Sequence, residues 1–209
     1  MTLTEAEMLA KTKKFLKTYM VSCLIIFALF AVLTGLVYPL FMTGFAQVAF
    51  KAKADGSIVK QDGKAVGSTL IGQEFTGPTY FHGRPSAAGT NGYDATASGA
   101  SNLGPTNPKL TELISQRAAQ VRQENGLAPD AKVPADLVEA SASGLDPDIS
   151  PASALLQVKR VAGARNLPVA VVLELVKGHV QERQLSVLGE QRVNVLELNM
   201  ALDRMSKQI

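Results

Sequence analysis

The residues best suited to chemistry are few and scattered. His82 and His179 are the only imidazoles in 209 residues. A histidine between a hydroxyl and a carboxylate can act as the base of a hydrolytic triad. No Gly-x-Ser-x-Gly elbow accompanies either one, so both read first as a loop residue and a helix-end residue. Arg84, before Pro85, has the chemistry to grip a small anion or to donate to loop carbonyls. Asp146-Pro147-Asp148 pairs two carboxylates, as a metal or acid–base site would. Asp and Pro just before a helix are also ordinary turn and cap residues, and no further ligands gather nearby. Gly67 and Gly72 have the glycine spacing of a phosphate-binding loop, but Gln73-Glu74 follow. That places a carboxylate where lysine and a hydroxyl must meet phosphate and magnesium, which excludes the motif. Asn102 and Asn107 suit either ligand contacts or turns. No residue is assigned a catalytic or metal-binding role on these grounds. A hydrolase built on a histidine and a small-anion-binding module built on Arg84 remain alternatives to a non-catalytic role.

The elements that must position these residues are set by one feature. From Thr18 to Phe50 the chain has no Asp, Glu, Lys, Arg or His. Met20 to Met42 is its most apolar part, ~34 Å long as a helix and enough to cross a ~30 Å hydrocarbon core. Lipid offers backbone groups no partners, so a helix is the natural choice. Tyr19 and Tyr38 bracket the run like interfacial aromatic belts. Lys11, Lys13, Lys14 and Lys17 precede it, against Glu5 and Glu7, which predicts a cytoplasmic N-terminus. The run exceeds the ~7–15 residues of a signal-peptide core, favouring an uncleaved anchor. The expected order is a cytoplasmic tail (1–17), a transmembrane helix (18–44), a polar linker or hairpin (45–67) and an extracytoplasmic domain (68–209). Ala28, Ala31 and Gly35 share a helix face narrow enough for close approach of another helix.

The outer region has no cysteine, because Cys23 is the only one and lies within the apolar run. An apolar core must therefore stabilise it without disulfides. Its charges nearly balance, since the first seventeen residues supply +2 of the net +3, and no basic stripe favours nucleic acid. Asp55-Gly56 and Asp62-Gly63 are turn signals. Ser68 to Phe75 reads as a strand. Gly77 to Pro108 is a long polar loop, a length associated with function or disorder, and Tyr80, Phe81 and Tyr93 argue that it is tacked to a surface. Asn107-Pro108 and Ser150-Pro151 are helix starts, and Gly126 is a helix stop. Val193 to Leu196 suits a short strand, or Asn194 caps a last helix carrying Leu198, Leu202 and Met205. The class expected is α+β: one N-terminal transmembrane helix and a single domain, helix-rich in its second half.

Several longer stretches are more specific than any of these motifs. They are Gly67-Ser-Thr-Leu-Ile-Gly-Gln-Glu-Phe75, Tyr80-Phe-His-Gly-Arg-Pro-Ser-Ala87, Ser98-Gly-Ala-Ser-Asn-Leu-Gly-Pro-Thr-Asn-Pro108, Ala140-Ser-Ala-Ser-Gly-Leu-Asp146 and Arg192-Val-Asn-Val-Leu-Glu-Leu-Asn199. In this order behind one span, they closely resemble the C-subunit family of the bacterial and archaeal Kdp potassium-transporting ATPase. Ala100 and Gln191 depart from the family pattern, where a glycine and a proline are expected. The resemblance implies a non-catalytic subunit of an ATP-driven potassium uptake complex in the inner membrane. It implies three partners: a channel-like A subunit, a P-type B subunit that hydrolyses ATP, and a small F subunit. It further implies a role in assembly and as a catalytic chaperone raising the B subunit's ATP affinity. Ser141, Ser143 and Gly144 then become candidate nucleotide contacts, through a segment likened to a transporter signature motif. The expected topology puts these residues outside, away from cytoplasmic ATP, so a cap over the external potassium entrance is the simpler role. Tyr80, Arg84, Asn102 and Asn107 would face partners there, and Ala28, Ala31 and Gly35 would pack within the membrane.

Overall fold

The computed structural model describes residues 4–206. The chain forms two compact units, divided between Gly56 and Ser57. In the first, helix α1 (Glu5–Val32) passes through a π-helical turn (Leu33–Val37) into α2 (Tyr38–Ala49), followed by one helical turn, α3 (Lys51–Ala54). Pro39 explains the π turn: it lacks an N–H and its ring would strike the carbonyl four residues back, so the preceding turn widens. The span's hydroxyls are hidden on the helix itself. Ser22, Thr34 and Thr43 donate to Thr18, Phe30 and Pro39 carbonyls at 3.0, 2.7 and 2.8 Å, which satisfies them where no water is present. Glu5–Ala49 is long and apolar enough to cross a membrane by length and composition.

The second unit begins with a hairpin, β1 (Ile58–Gln61) and β2 (Lys64–Ser68). Asp62 (φ +52) and Gly63 (φ +78) form its turn, a left-handed pair that Asp-Gly adopts cheaply. No helix or strand follows from Thr69 to Asn107, so the strand expected over Ser68–Phe75 stops at its first residue. The reason lies at Gly72, whose N–H donates to the Leu145 carbonyl at 2.8 Å, a loop partner rather than a neighbouring strand.

Helix α4 (Pro108–Glu124) starts where Asn107 accepts from the Lys109 N–H at 3.0 Å and stops at Gly126 (φ +61). A 3-10 turn (Ala135–Leu137) leads to β3 (Asp148–Ile149), α5 (Pro151–Ala164), α6 (Val169–Gly178), β4 (Val180–Gln181), β5 (Arg192–Asn194) and α7 (Val195–Ser206). Ser150 caps α5 by accepting from Ser153 N–H at 3.1 Å. Asn166 (φ +55) ends that helix in the left-handed conformation asparagine tolerates. The two readings of 193–196 divide the segment: Val193 and Asn194 are in the strand, and Val195 and Leu196 are already in the helix. Asn194 closes β5 and its side chain accepts from the Glu197 N–H at 3.1 Å, starting α7.

The three short strands form an antiparallel sheet in the order β3-β5-β4. Val158, Val161, Val172, Val176, Val193, Leu198 and Leu202 are buried in one core with Phe81. Each such side chain stabilises by roughly 1.5–3 kcal/mol when fully buried. The architecture is α+β and helix-rich in its second half.

Candidate functional site

The long loop is held in place by polar side chains buried in the helical layer. Phe81 is 0% exposed, and its N–H donates to Asn199 Oδ1 at 2.8 Å while its carbonyl accepts from Asn199 Nδ2 at 2.9 Å. His82 repeats the arrangement with Gln157, at 2.8 and 3.1 Å. Asn199 and Gln157 are each 1% exposed. Two carboxamides thus play the part of a neighbouring strand, satisfying backbone groups that burial would otherwise leave orphaned. Arg160 adds donors to the Pro78 and Tyr80 carbonyls at 2.7 and 3.0 Å. Arg165 donates to the Thr79 carbonyl at 2.6 Å, pairs with Asp203 at 2.8 Å, and lies 4.8 Å over the Tyr80 ring. None of these four side chains stood out in the sequence. The signal available was a polar residue inside an apolar helical arc, Gln157 beside Val158 and Asn199 beside Leu198.

A second junction joins the loop to the 141–146 segment. Ser86 Oγ donates to the Gly144 carbonyl at 2.6 Å and accepts from the Tyr93 and Ala88 N–H groups at 2.7 and 3.1 Å. The Ser143 carbonyl accepts from Gly99 N–H and Ser98 Oγ, each at 2.9 Å. Ser143 Oγ accepts from Leu145 N–H at 3.1 Å and lies 3.4 Å from Ser141 Oγ. Ser141 and Gly144 are buried and Ser143 is exposed. The three candidate nucleotide contacts thus lie together, with most of their polar groups engaged inside the unit.

Between the junctions and α4 lies a cleft of about 260 Å³, bordered by Glu74, His82, Arg84, Tyr93, Arg117 and Glu124. Its cations have internal partners. Arg84 pairs with Asp146 at 3.0 Å, and Arg117 donates to the Val138 carbonyl at 3.0 Å. Only Arg84 Nε, among the described residues, is a buried side-chain polar atom without a partner. Burial pushes the Tyr93 phenol up to about 12, with Glu74 and Asp146 adding to it, so it stays a donor, to the Arg84 carbonyl. Asp146 Oδ1 accepts from the Asp148 N–H at 3.1 Å, which is the turn read from the sequence. Asp148 turns instead to Arg192 at 3.0 Å. Burial raises its carboxyl despite that arginine. The two carboxylates therefore serve separate ion pairs.

The remaining candidates sort by their contacts. Tyr80 packs on Phe75 and reaches Asp203 at 3.3 Å. Asn107 is the α4 cap, and Asn102 is an exposed loop residue at φ +52. Ala28 and Ala31 are exposed on α1, and Gly35 lies in the π turn. His179 Nδ1 meets the Leu175 carbonyl at 2.8 Å. His82 meets the Gly77 carbonyl at 3.0 Å and Glu124 at 3.5 Å. Neither arrangement positions a nucleophile. Among the described residues no three His, Cys, Asp or Glu side chains gather to hold a metal.

His82 gives a pH-dependent expectation. Burial, then the Arg160 charge, lowers its affinity for a proton, against the pull of Gly77 and Glu124. Between that lowered native value and the ordinary value of about 6.5, the unfolded chain binds the proton more readily. Stability conferred by neutral His82 is thus complete above about 6.5 and declines as pH falls through the window below it. His82→Gln should flatten this decline in urea midpoints measured across the window. Parallel curves for both proteins would refute it.

The sequence aligns with known proteins over nearly its whole length. A family model described as "K+-transporting ATPase, c chain" (KdpC) matches residues 20–204. The chain is 58% identical over 183 residues to the potassium-transporting ATPase KdpC subunit of Gemmatimonas aurantiaca, covering 88% of this chain and 91% of the relative. It is 54% identical over 185 residues to that of Nitratidesulfovibrio vulgaris, covering 88% and 92%. It is 52% identical over 176 residues to that of Mycobacterium tuberculosis, covering 84% and 93%. With one helix able to span a membrane and a family match over most of its length, this chain belongs to the KdpC family of potassium-transporting ATPase subunits.

Proposed function

We propose that this chain is the accessory, non-catalytic subunit of an ATP-driven, high-affinity potassium uptake complex. In this reading its partners are the channel-like A subunit, the ATP-hydrolysing B subunit and the small F subunit. The lysines before the span support a cytoplasmic N-terminus, which would leave the Ser57–Ile209 unit on the outer face of the inner membrane. There it caps the external potassium entrance of the A subunit and supports assembly. Ala28, Ala31 and Gly35 pack against partner helices, and Asn102 faces a partner on the outside. ATP and potassium are handled by the complex as a whole.

The observation that carries this reading is the family match across residues 20–204. The fold is compatible with it, because the loop from Thr69 to Asn107 is fastened to the rest of the unit at Phe81, His82, Ser86 and Ser98. The internal engagement of Ser141, Ser143 and Gly144 favours a structural part for that segment over a grip on nucleotide phosphates. Arg84, tied to Asp146, gives the small-anion alternative little support.

Cysteine-accessibility labelling tests the topology. Ser143→Cys in a Cys23→Ser background, within the assembled complex in sealed vesicles of known orientation, should react with a membrane-impermeant maleimide from the outer side only. Labelling from the cytoplasmic side would overturn the cap and restore direct contact with ATP, and with it a rise in the B subunit's ATP affinity, as the working hypothesis.

A further inference from the structure

The basic start of α1 receives no counter-charge from the chain itself. Among the described residues, Lys11, Lys13, Lys14 and Lys17 enter no ion pair. Glu7, four residues before Lys11, is the carboxylate best placed to supply one. It turns back instead, accepting from the Thr4 N–H and hydroxyl at 2.9 Å each, which closes the capping box of the helix. Lysines three and four residues apart on one helix repel each other, so an external anion would stabilise this stretch.

The four lysines are not equivalent. Lys11, Lys14, Phe15, Thr18 and Tyr19 line one groove along α1, and Lys13 and Lys17 lie outside it. The Phe15 and Tyr19 rings form its apolar side, with centroids 4.1 Å apart. Thr18 Oγ1 donates to the Lys14 carbonyl at 2.9 Å, so the groove's cationic donors are the two ammonium groups. The groove therefore runs from lysines, at the end away from the span, to an aromatic ring at the end toward it. A phospholipid has the same order, phosphate first and acyl chains after. The depths match as well. Tyr19 suits the interface, and Lys14 and Lys11 lie ~7.5 and ~12 Å further out along the helix. The polar headgroup layer is roughly 5–8 Å thick on each side. The long lysine stem lets the Lys11 ammonium reach back into that layer.

We propose that this groove binds one anionic phospholipid, its phosphate held between the Lys11 and Lys14 ammonium groups and the start of an acyl chain laid against Tyr19. The proposal rests on α1 crossing a membrane and not on the chain's role in the potassium uptake complex. Two considerations select this occupant. A basic cluster beside a span lies among lipid headgroups, whose anionic members attract each lysine near the surface. The Phe15–Tyr19 pair adds an apolar wall that a soluble anion would leave unused, whereas an acyl chain covers it.

The test uses the full chain in phosphatidylcholine nanodiscs that contain spin-labelled phosphatidylglycerol or spin-labelled phosphatidylcholine. Electron paramagnetic resonance reads the motionally restricted fraction of each lipid. Nanodiscs have no inside, so a variant that inserts in the opposite direction is still measured. The anionic lipid should be preferred about tenfold, two lysines contributing about fivefold each with part of it screened by salt. Lys11→Gln with Lys14→Gln should remove most of this preference. Lys13→Gln with Lys17→Gln removes the same charge from outside the groove and should lower it less than about threefold. Glutamine is as good a helix former as lysine, so circular dichroism should show equal helix content in all three proteins. Equal losses in the two double variants would overturn the site and leave a diffuse attraction. Displacement of the labelled lipid by millimolar inorganic phosphate would overturn it in favour of a soluble anion. Loss of the preference in the assembled complex would overturn it in favour of a partner's acidic groups. Failure of the wild-type chain to stay in the nanodisc would instead overturn the span itself, and failure to assemble with other subunits would leave the lipid preference intact, so these failures are distinguishable.

Discussion

Asn199→Leu is expected to destabilise the Ser57–Ile209 unit by about 3 kcal/mol, although it puts an apolar residue into an apolar layer. The wild-type carboxamide satisfies both the N–H and the carbonyl of Phe81, at 2.8 and 2.9 Å, in a site closed to water. Each group left buried and unpartnered costs about 1–3 kcal/mol. Leucine's apolar burial offsets only part of that, about 1.5–3 kcal/mol at most if the side chain fits. It does not fit without strain, since the cavity was shaped by a planar amide hydrogen-bonded on its edge. Phe81 must either keep its place with two orphaned groups or leave the core. Either outcome loosens the loop from Pro78 to His82 that Arg160 and Arg165 also hold. Urea unfolding of the full chain in detergent, followed by protease resistance of the Ser57–Ile209 unit, measures the loss. Gln116→Leu on the exposed face of α4 is the control, expected within about 0.5 kcal/mol of wild type. Equal midpoints for the two variants would show that the carboxamide pairing contributes nothing.

That experiment bears on what a sequence can reveal. The span, the α+β class, the α4 and α5 starts and the Gly126 stop were legible because each has a local cause. Asn107, Ser150 and Asn194 act on backbone within three residues of themselves. The apolar arcs of α5 to α7 likewise announce their own burial. The loop's order is different, because its causes lie far along the chain. Phe81 is held from Asn199 and His82 from Gln157. No periodicity connects such pairs, and a lone amide in a helix reads as an exposed residue. The strand expected at Ser68–Phe75 failed for the same reason, since Gly72 takes its partner from Leu145. Arg84 and Asp146 lie 62 residues apart with no pattern linking them, and only the fold makes them an ion pair.

Three glycine-to-alanine substitutions should measure how tightly the 141–146 segment is built in, and Ser143→Ala should separate the structural from the nucleotide-binding reading. Gly104 has open space where a Cβ would point and no left-handed backbone, so Gly104→Ala should be near neutral. Gly126 also has open space but sits at φ +61, so its alanine should cost about 1 kcal/mol in backbone strain alone. Gly144 combines both obstacles. It sits at φ +67, and a Cβ would lie 2.6 Å from the Gly99 carbonyl oxygen and 2.7 Å from the Ala88 nitrogen. Both neighbours are backbone atoms, which cannot turn aside as a side chain would. Strain at a left-handed residue costs about 1–3 kcal/mol and overpacking a similar amount, so Gly144→Ala should lose about 3 kcal/mol or more. The displacement would break the Ser86, Ser98 and Gly99 contacts together, since all three close on the Ser143–Gly144 backbone. Ser143→Ala, by contrast, removes one exposed hydroxyl that accepts from Leu145 N–H and touches the Ser141 hydroxyl, and should cost under about 1 kcal/mol. A nucleotide-binding segment differs at Ser143: Ser143→Ala would then weaken the ATP dependence of the complex while leaving stability intact. The decisive quantity is therefore where each variant's defect appears. If Gly144→Ala lowers the urea midpoint and Ser143→Ala leaves the apparent KM for ATP unchanged, the segment acts by fastening the long loop, and its likeness to a nucleotide signature is one of sequence only.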